Sequence, residues 1–461
     1  MLLVETLKQQ LTLEDILFSL KDKPFLFCLD SSLPDPKRGR YSFVGCEPFD
    51  TYRAKGFASL EELRGRFNRY AHAHYDTCTP FASGIVGFLS YDYGLNQEEI
   101  IASGLDDAQL PDCLFAFYDR VLTVDHLEGK IYVTSTGLGH PAYMSRPAYA
   151  EKRLNDLIGL LRPSSFRETE KIPAGTPLSL SSNFTKEKYL RAIEQALAYI
   201  STGEIYQINL SQRFSYSHEE PMDSVGLYDH LRKNFPTHFS AFFNAGKYQI
   251  LSSSPERFLN RRKRRVETQP MKGTRARSAD MEEDARLRFE LETNEKEKAE
   301  LLMVTDLERN DLGRVCRYGT VHVEQLRVIE AYRNIYQAIS TVTGELREDK
   351  DSFDLLQAAF PGGSITGCPK IRAIEIIDEL EPTRRSLYTG ILGYMNFNGD
   401  MDFNILIRTL LVCGKKVSFQ VGGGIVADSD PEKEYAETLL KAEAMISAIR
   451  QTLTEGQPTH L

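Results

Sequence analysis

Residues 387–426, LYTGILGYMNFNGDMDFNILIRTLLVCGKKVSFQVGGGIV, decide the fold class. Short apolar, β-prone runs are broken by glycine and asparagine at tight-turn spacing. The stretch predicts several strands joined end to end. Similar runs lie far upstream. FASGIVGFLSYDYG (81–94) and FAFYDRVLTVDH (115–126) predict antiparallel hairpins, the second followed by the turn EGK and the strand IYVTST.

Long helical patterns alternate with these strands. AYAEKRLNDLIGLLR (148–162) has apolar residues at three- and four-residue spacing. FTKEKYLRAIEQALAYISTGE begins with Thr185 as a candidate N-cap. The charged segment ELETNEKEKAELLMVTDLERNDLGR predicts a helix, and a last helix runs from about Pro431 to Gln451. VHVEQLRVIEAYRNIYQAISTVTGEL (321–346) reads as a mixture of strand and helix. Strands interleaved with long helices imply an α+β fold with largely antiparallel sheets. The polar segment RPSSFRETEKIPAGTPLSLSSN (162–183) is the best linker. It divides an N-terminal region, 1–165, from a second region, 184–455.

The bulk numbers exclude several classes. The 461 residues carry a net charge of −9, without the basic field that nucleic-acid binding requires. The basic run NRRKRRVE (260–267) lies between two strand-like runs and reads as a solvated hairpin tip. No apolar run is long enough to span a membrane, and the N-terminus has no signal-peptide pattern. The seven cysteines are dispersed and form no C-x-x-C, as expected of free thiols in a reducing cytoplasm. His72 and His74 lack further ligand spacing and read as surface residues.

Several patterns carry chemistry. Glu297 and Glu300 lie three apart on one predicted helix, and Glu434 and Glu437 on another. That spacing puts each pair on one face. Four converging carboxylates would suit a hard cation such as Mg²⁺; otherwise they are solvated helix surface. Asp430 or Ser429 would cap the second helix, with Pro431 at its first position. The glycine run in VGGGIVADSDPE (421–432) would let backbone N–H groups approach an anion, or else marks a tight corner. Arg408, placed on an apolar strand, needs an anionic partner. PGGSITGCPKIRAIEII (361–377) is a glycine-rich loop entering a helix, able to present Ser364 and Thr366 to an anion. It is not a P-loop. In ETQPMKGTRAR (267–277), Lys272 is either a solvated charge or a nucleophile.

Taken in order, GEIYQINLSQRF, SSSPERFL, ETQPMKGT, EKAELLMVTDLERNDLGR, PGGSITGCPKIRA, LYTGILGY, ILIRTLLV and VGGGIVADSDPEKEYAETLLKAEA resemble the chorismate-utilising enzymes. The resemblance covers most of residues 184–450 and is weaker in the first region. It implies one large domain of two packed antiparallel β-sheets flanked by helices, with the active site in a cleft. It implies that Glu300 and Glu437 hold Mg²⁺, with Glu297 and Glu434 ligating directly or through water. The ion would bind the ring carboxylate of chorismate, and Gly422, Gly424 and Lys441 would flank that site. Tyr388 and Arg408 would hold the enolpyruvyl carboxylate, Ser364 would lie beside the ring, and Glu256 would protonate the departing 4-hydroxyl.

The resemblance also speaks to the reaction. Members that aminate or hydroxylate C2 carry alanine where this chain has Lys272; members that aminate C4 carry P-I-K-G-T. Lys272 would attack C2, and ammonia would then attack C4, giving 4-amino-4-deoxychorismate for para-aminobenzoate and folate synthesis. The lysine must be neutral to attack, so its pKa must be lowered. The hydroxylating members carry a lysine at Gln207 that activates water, which an amide cannot do. Two other readings stay open: amination at C2 with loss of pyruvate, and a catalytically silent homologue. Gln337 replaces a histidine of many members, and Met271 an isoleucine. Ser31 lies in the segment where some relatives bind tryptophan; a filled structural pocket or plain packing serves equally. The G-x-C-x-G turn of a glutaminase is missing, so the resemblance implies ammonia from a separate glutamine amidotransferase subunit.

Overall fold

The computed structural model describes the chain except residues 1, 9, 37, 57–59, 72–78, 164–178, 333–334 and 456–461. The stretch 387–426 forms two hairpins, one in each of two sheets. Ile391–Asn396 pairs with Met401–Ile405, turning through Gly399 at φ +91°. The chain then crosses over, and Thr409–Cys413 pairs with Lys416–Ile425, turning through Gly414 at φ +58°. Glycine suits both turns because positive φ costs it nothing sterically.

One sheet has twelve strands and the other ten, and every pairing within them is antiparallel. Both draw strands from either side of residues 162–183. Phe27–Asp30 pairs with Phe239–Asn244 in the larger sheet, and Gly84–Leu89 with Ile391–Asn396 in the smaller. Between the sheets, Phe43, Phe81, Phe88, Phe243, Leu392 and Tyr394 bury their side chains in one core. Helices cover the outer faces. Ser224–Asn234 and Pro431–Glu455 pack on the larger sheet, and Leu60–Asn68 and Ser352–Ala359 on the smaller.

The segment 321–346 contains no helix among its described residues. It forms the strands His322–Ala331 and Ile335–Glu345. The second is buried along almost its whole length. Burial on both faces removes the apolar–polar alternation: Gln337, Ser340, Thr341 and Thr343 are buried along with Ile339 and Val342, so periodicity does not mark the strand. The predicted linker falls largely in 164–178, and His72 and His74 in 72–78, outside the described residues. No described helix is long and apolar enough to cross a membrane.

Candidate active site

The basic run is a hairpin tip, as expected. Arg257–Arg262 pairs with Arg265–Thr268, turning at Lys263 with φ +55°. The chain continues into Met271–Ala276, which pairs with Ile335–Glu345. Lys272 sits opposite Ala338 and Thr274 opposite Gln337, so the register slips by one at Gly273. Gly273 has φ +80°, and a Cβ there would lie 2.8 Å from both Glu297 Oε2 and Leu291 Cδ1. Both the bulge and the close approach require glycine.

Lys272 is half-buried as a residue, and its amine lies in a desolvated surrounding. Burial lowers its pKa, against the attraction of Glu300 and Glu256 and with the help of Lys441. No hydrogen bond or ion pair holds the amine among the described residues. A methyl group at Gly424 would lie 3.5 Å from that amine and 2.8 Å from Gln207 Nε2. Lys272, Gln207 and the glycine strand therefore meet at one point.

Glu256 lies in the break between Gln249–Ser254 and Arg257–Arg262, only 3% exposed. Burial raises its pKa to about 7, opposed by the Ser364 hydroxyl, Lys272 and the Met271 N–H. Ser364 donates to Glu256 Oε1 at 2.7 Å. The loop 361–369 thus presents Ser364 to an internal carboxyl. A carboxyl titrating near neutrality and an amine of lowered pKa are able to serve as proton donor and nucleophile.

The four glutamates take unequal positions. Burial raises the Glu300 pKa, with Glu297 and Glu434 adding to the effect and Lys272 and Lys296 opposing it. Glu297 accepts from Arg275 at 2.8 Å through Oε1, while its Oε2 is buried and unpaired. Glu434 accepts from Ser429 at 2.6 Å. Burial pushes Glu437 up, but Lys441, Lys272 and Lys296 outweigh it and hold its pKa low. Among the described residues no three carboxylates come together as a closed metal site. The donor chemistry nevertheless suits a hard cation: all four candidate donors are carboxylates, Glu297 has a free oxygen, and among the described residues Glu300 makes no hydrogen bond. Asp430 caps the second helix by accepting from Lys433 N at 3.0 Å.

The glycine run forms part of the strand Lys416–Ile425, paired with Gln207–Ser217. Its backbone approaches closely: a Cβ at Gly422 would lie 2.5 Å from the Leu210 carbonyl and 2.9 Å from the Tyr388 hydroxyl. Lys441 donates to the Gly422 carbonyl at 3.0 Å and pairs with Glu437 at 2.7 Å. Arg408 does not lie on a strand. It occupies the crossover between Met401–Ile405 and Thr409–Cys413, with φ +49°. The apolar run NILIRTLL conceals this break because both flanking strands are buried. Burial lowers the Arg408 pKa, partly offset by Tyr332, and no acidic side chain pairs with it among the described residues. Gln207 Oε1 and Gln337 Oε1 are buried without partners.

Two supporting residues were not legible as functional. Arg385 and Glu381, each about 1–2% exposed at the side chain, pair at 2.7 Å. Arg385 donates to the Ile365 carbonyl at 3.0 Å and to Asn209 O, and lies over the ring of Tyr388. Glu381 accepts from Ser211 N and Oγ. This pair fixes Tyr388, the Ser364 loop and the strand beginning at Gln207 to one another. Its only trace in sequence is an ordinary i,i+4 spacing. A cavity of about 360 Å³ lies elsewhere, between the sheets near Ser31, Arg257 and Tyr394. Its lining includes none of the residues around Lys272.

Residues 31–447 match the family described as chorismate binding enzyme. The chain is 38% identical over 436 residues to aminodeoxychorismate synthase component 1 of Bacillus subtilis, covering 90% of this chain and 91% of that one. It is 37% identical to anthranilate synthase component 1 of Acetivibrio thermocellus, covering 92% and 90%. The crystal structure of anthranilate synthase component I from Streptococcus pneumoniae superposes with a TM-score of 0.78 at 31% identity, covering 90% and 93%.

Proposed function

The chain belongs to the chorismate-binding enzyme family, and on that premise we propose that it is an aminodeoxychorismate synthase component I, aminating chorismate at C4. The observation that carries this reading is Lys272: a desolvated, unpaired amine beside a carboxyl of pKa about 7.

The neutral Lys272 amine attacks C2, and the ring double bond shifts as the C4 hydroxyl leaves with the Glu256 proton as water. Ammonia then attacks C4, the double bond returns, and the C2–lysine bond breaks. One difficult displacement becomes two easier ones. Gln207 lines the same face and has no basic group, which disfavours water as the nucleophile. Arg408 and Tyr388 hold the enolpyruvyl carboxylate, and Ser364 orients Glu256. Glu297, Glu300, Glu434 and Glu437 would hold Mg²⁺, whose chemistry there is to neutralise the ring carboxylate of chorismate. Ammonia comes from a separate glutamine amidotransferase subunit, and the dispersed cysteines suit the cytoplasm.

Amination at C2 is the second reading, favoured by the similar identity to proteins named anthranilate synthase component 1. The two separate by product. Incubation with chorismate, Mg²⁺ and ammonium should yield 4-amino-4-deoxychorismate; anthranilate as the main product would sink the proposal.

A further inference from the structure

Helix Glu295–Gly313 carries Glu297, Glu300, Val304, Glu308 and Asp311 at spacings of three and four, which put them on one face. The first two belong to the site described above. Glu308 and Asp311, two turns farther on, face the glycine-rich loop instead. Glu308 is 2% exposed, and the site's chemistry does not use it. Its Oε1 accepts the Gly363 N–H at 3.1 Å, and its Oε2 accepts the Thr268 hydroxyl at 3.4 Å. Asp311 accepts the Lys370 amine at 2.5 Å, at the far end of the loop. That amine also reaches the Ala359 carbonyl at 3.2 Å.

One rigid helix therefore ties down both ends of the loop. The approach is tight, since a Cβ at Gly363 would lie 2.4 Å from Leu307 Cδ2. Between the ties stands Ser364, donating to Glu256. Thr268 lies three residues before Met271, whose backbone N–H also reaches Glu256. Glu308 thus grips both segments that hydrogen-bond the acid, without touching it by hydrogen bond.

We propose that Glu308 is a positioning residue for the general acid, holding Gly363 and Thr268 so that Ser364 and Met271 aim the Glu256 carboxyl. The inference rests on Glu256 as the proton donor, whichever carbon is aminated. A buried carboxyl is a costly way to fill space, and an apolar side chain of similar size would pack there more cheaply. Burial and the nearby Asp311 raise its pKa strongly, against Lys370 and the Gly363 N–H, with Glu256 adding to the rise. Glutamine keeps the Gly363 N–H contact through its oxygen and can donate its amide to the Thr268 hydroxyl in place of accepting from it, so it should replace the carboxyl.

The test follows chorismate consumption with ammonium, independent of product identity. Glu308→Leu should lower kcat about 10–100-fold with KM for chorismate within about twofold, the mark of a group acting in the transition state. Glu308→Gln should stay within about threefold of wild type. In a Ser364→Ala background, Glu308→Leu should cost clearly less than in wild type, because the Ser364 arm is already lost and only the Thr268–Met271 arm remains. Additive losses, equal losses in the leucine and glutamine variants, or a rise in KM at constant kcat would overturn the inference. Should the leucine variant fail to fold, Thr268→Val decides: it removes one tether and should lower kcat about 3–10-fold at constant KM, and an unchanged kcat refutes the role. Wild-type protein that never consumes chorismate would remove the premise and the inference with it. Active wild type with an indifferent leucine variant would remove only the inference.

Discussion

Glu256→Gln should stabilise the protein at alkaline pH while abolishing its acid function. Burial raises the Glu256 pKa from 4.5 to about 7. Between those values the folded chain binds a proton that the unfolded chain has lost. Stability therefore falls as pH rises through this window, and the loss is complete above the folded value. That rise from 4.5 to about 7, at about 1.4 kcal/mol for each tenfold change in proton affinity, sets a ceiling of about 3–4 kcal/mol. Only about 1 kcal/mol of it is felt at pH 5, and nearly all at pH 8. Glutamine removes the titration and still accepts the Ser364 hydroxyl. The variant should thus gain about 2 kcal/mol more at pH 8 than at pH 5. In a chain this long that is a Tm increment of a few degrees at most, about 2–4 °C per kcal/mol in smaller domains. Thermal melts of both proteins at the two pH values read the difference directly. Equal effects at both values, or a variant less stable than wild type at pH 8, would refute a buried, near-neutral Glu256. A desolvated acid that lowers stability while serving catalysis is common at active sites.

Lys272→Ala should abolish C4 amination. Intact mass of wild type held with chorismate and no ammonia should show an adduct of chorismate less one water, absent in the variant; unaffected turnover would disprove the covalent route. Arg408→Gln should raise KM for chorismate about 10–100-fold, the cost of one charge-assisted hydrogen bond to a carboxylate, read from initial rates. Gly424→Ala places a methyl group 2.8 Å from Gln207 Nε2 and 3.5 Å from the Lys272 amine. Activity should fall at least about tenfold with little change in Tm, because the nearest atoms are side-chain ends, not backbone. A drop in Tm with activity retained would place Gly424 in a packing role. Equilibrium dialysis should find Mg²⁺ bound in the presence of chorismate, and binding should be lost in Glu300→Gln.

The sequence showed the hairpins and the outer helices because turns and caps are local. Gly399 and Gly414 mark turns wherever they occur, and Thr185 caps its helix by accepting from Lys188 N at 3.3 Å. The strand Ile335–Glu345 was blurred because burial on both faces erases its alternation. Arg408 looked like a strand residue for the same reason. Its place in the crossover depends on a partner sheet that lies far away in sequence. The individual residues around Lys272 were legible through their motifs, but their electrostatics were not. Nothing in QPMKGT states that the amine is desolvated, since the groups that enclose it come from residues 207, 256, 300 and 424. Glu381 and Arg385 were invisible as a functional pair, because a buried i,i+4 pair and a solvated one are written alike.

The open polar groups around Lys272 argue against the silent-homologue reading. Among the described residues, Gln207 Oε1, Gln337 Oε1 and Glu297 Oε2 are buried without partners, and Arg408 and Lys272 have no counter-ion in contact. Each unsatisfied buried group costs about 1–3 kcal/mol, and more if charged. A scaffold relieved of catalysis would lose such groups to apolar residues at no cost in function. Here they coexist with a glycine strand kept open beside Tyr388, Gln207 and Lys272. A polar ligand bearing carboxylates would satisfy several of these groups at once. The same residues that lower stability in isolation are therefore those expected to bind and convert it.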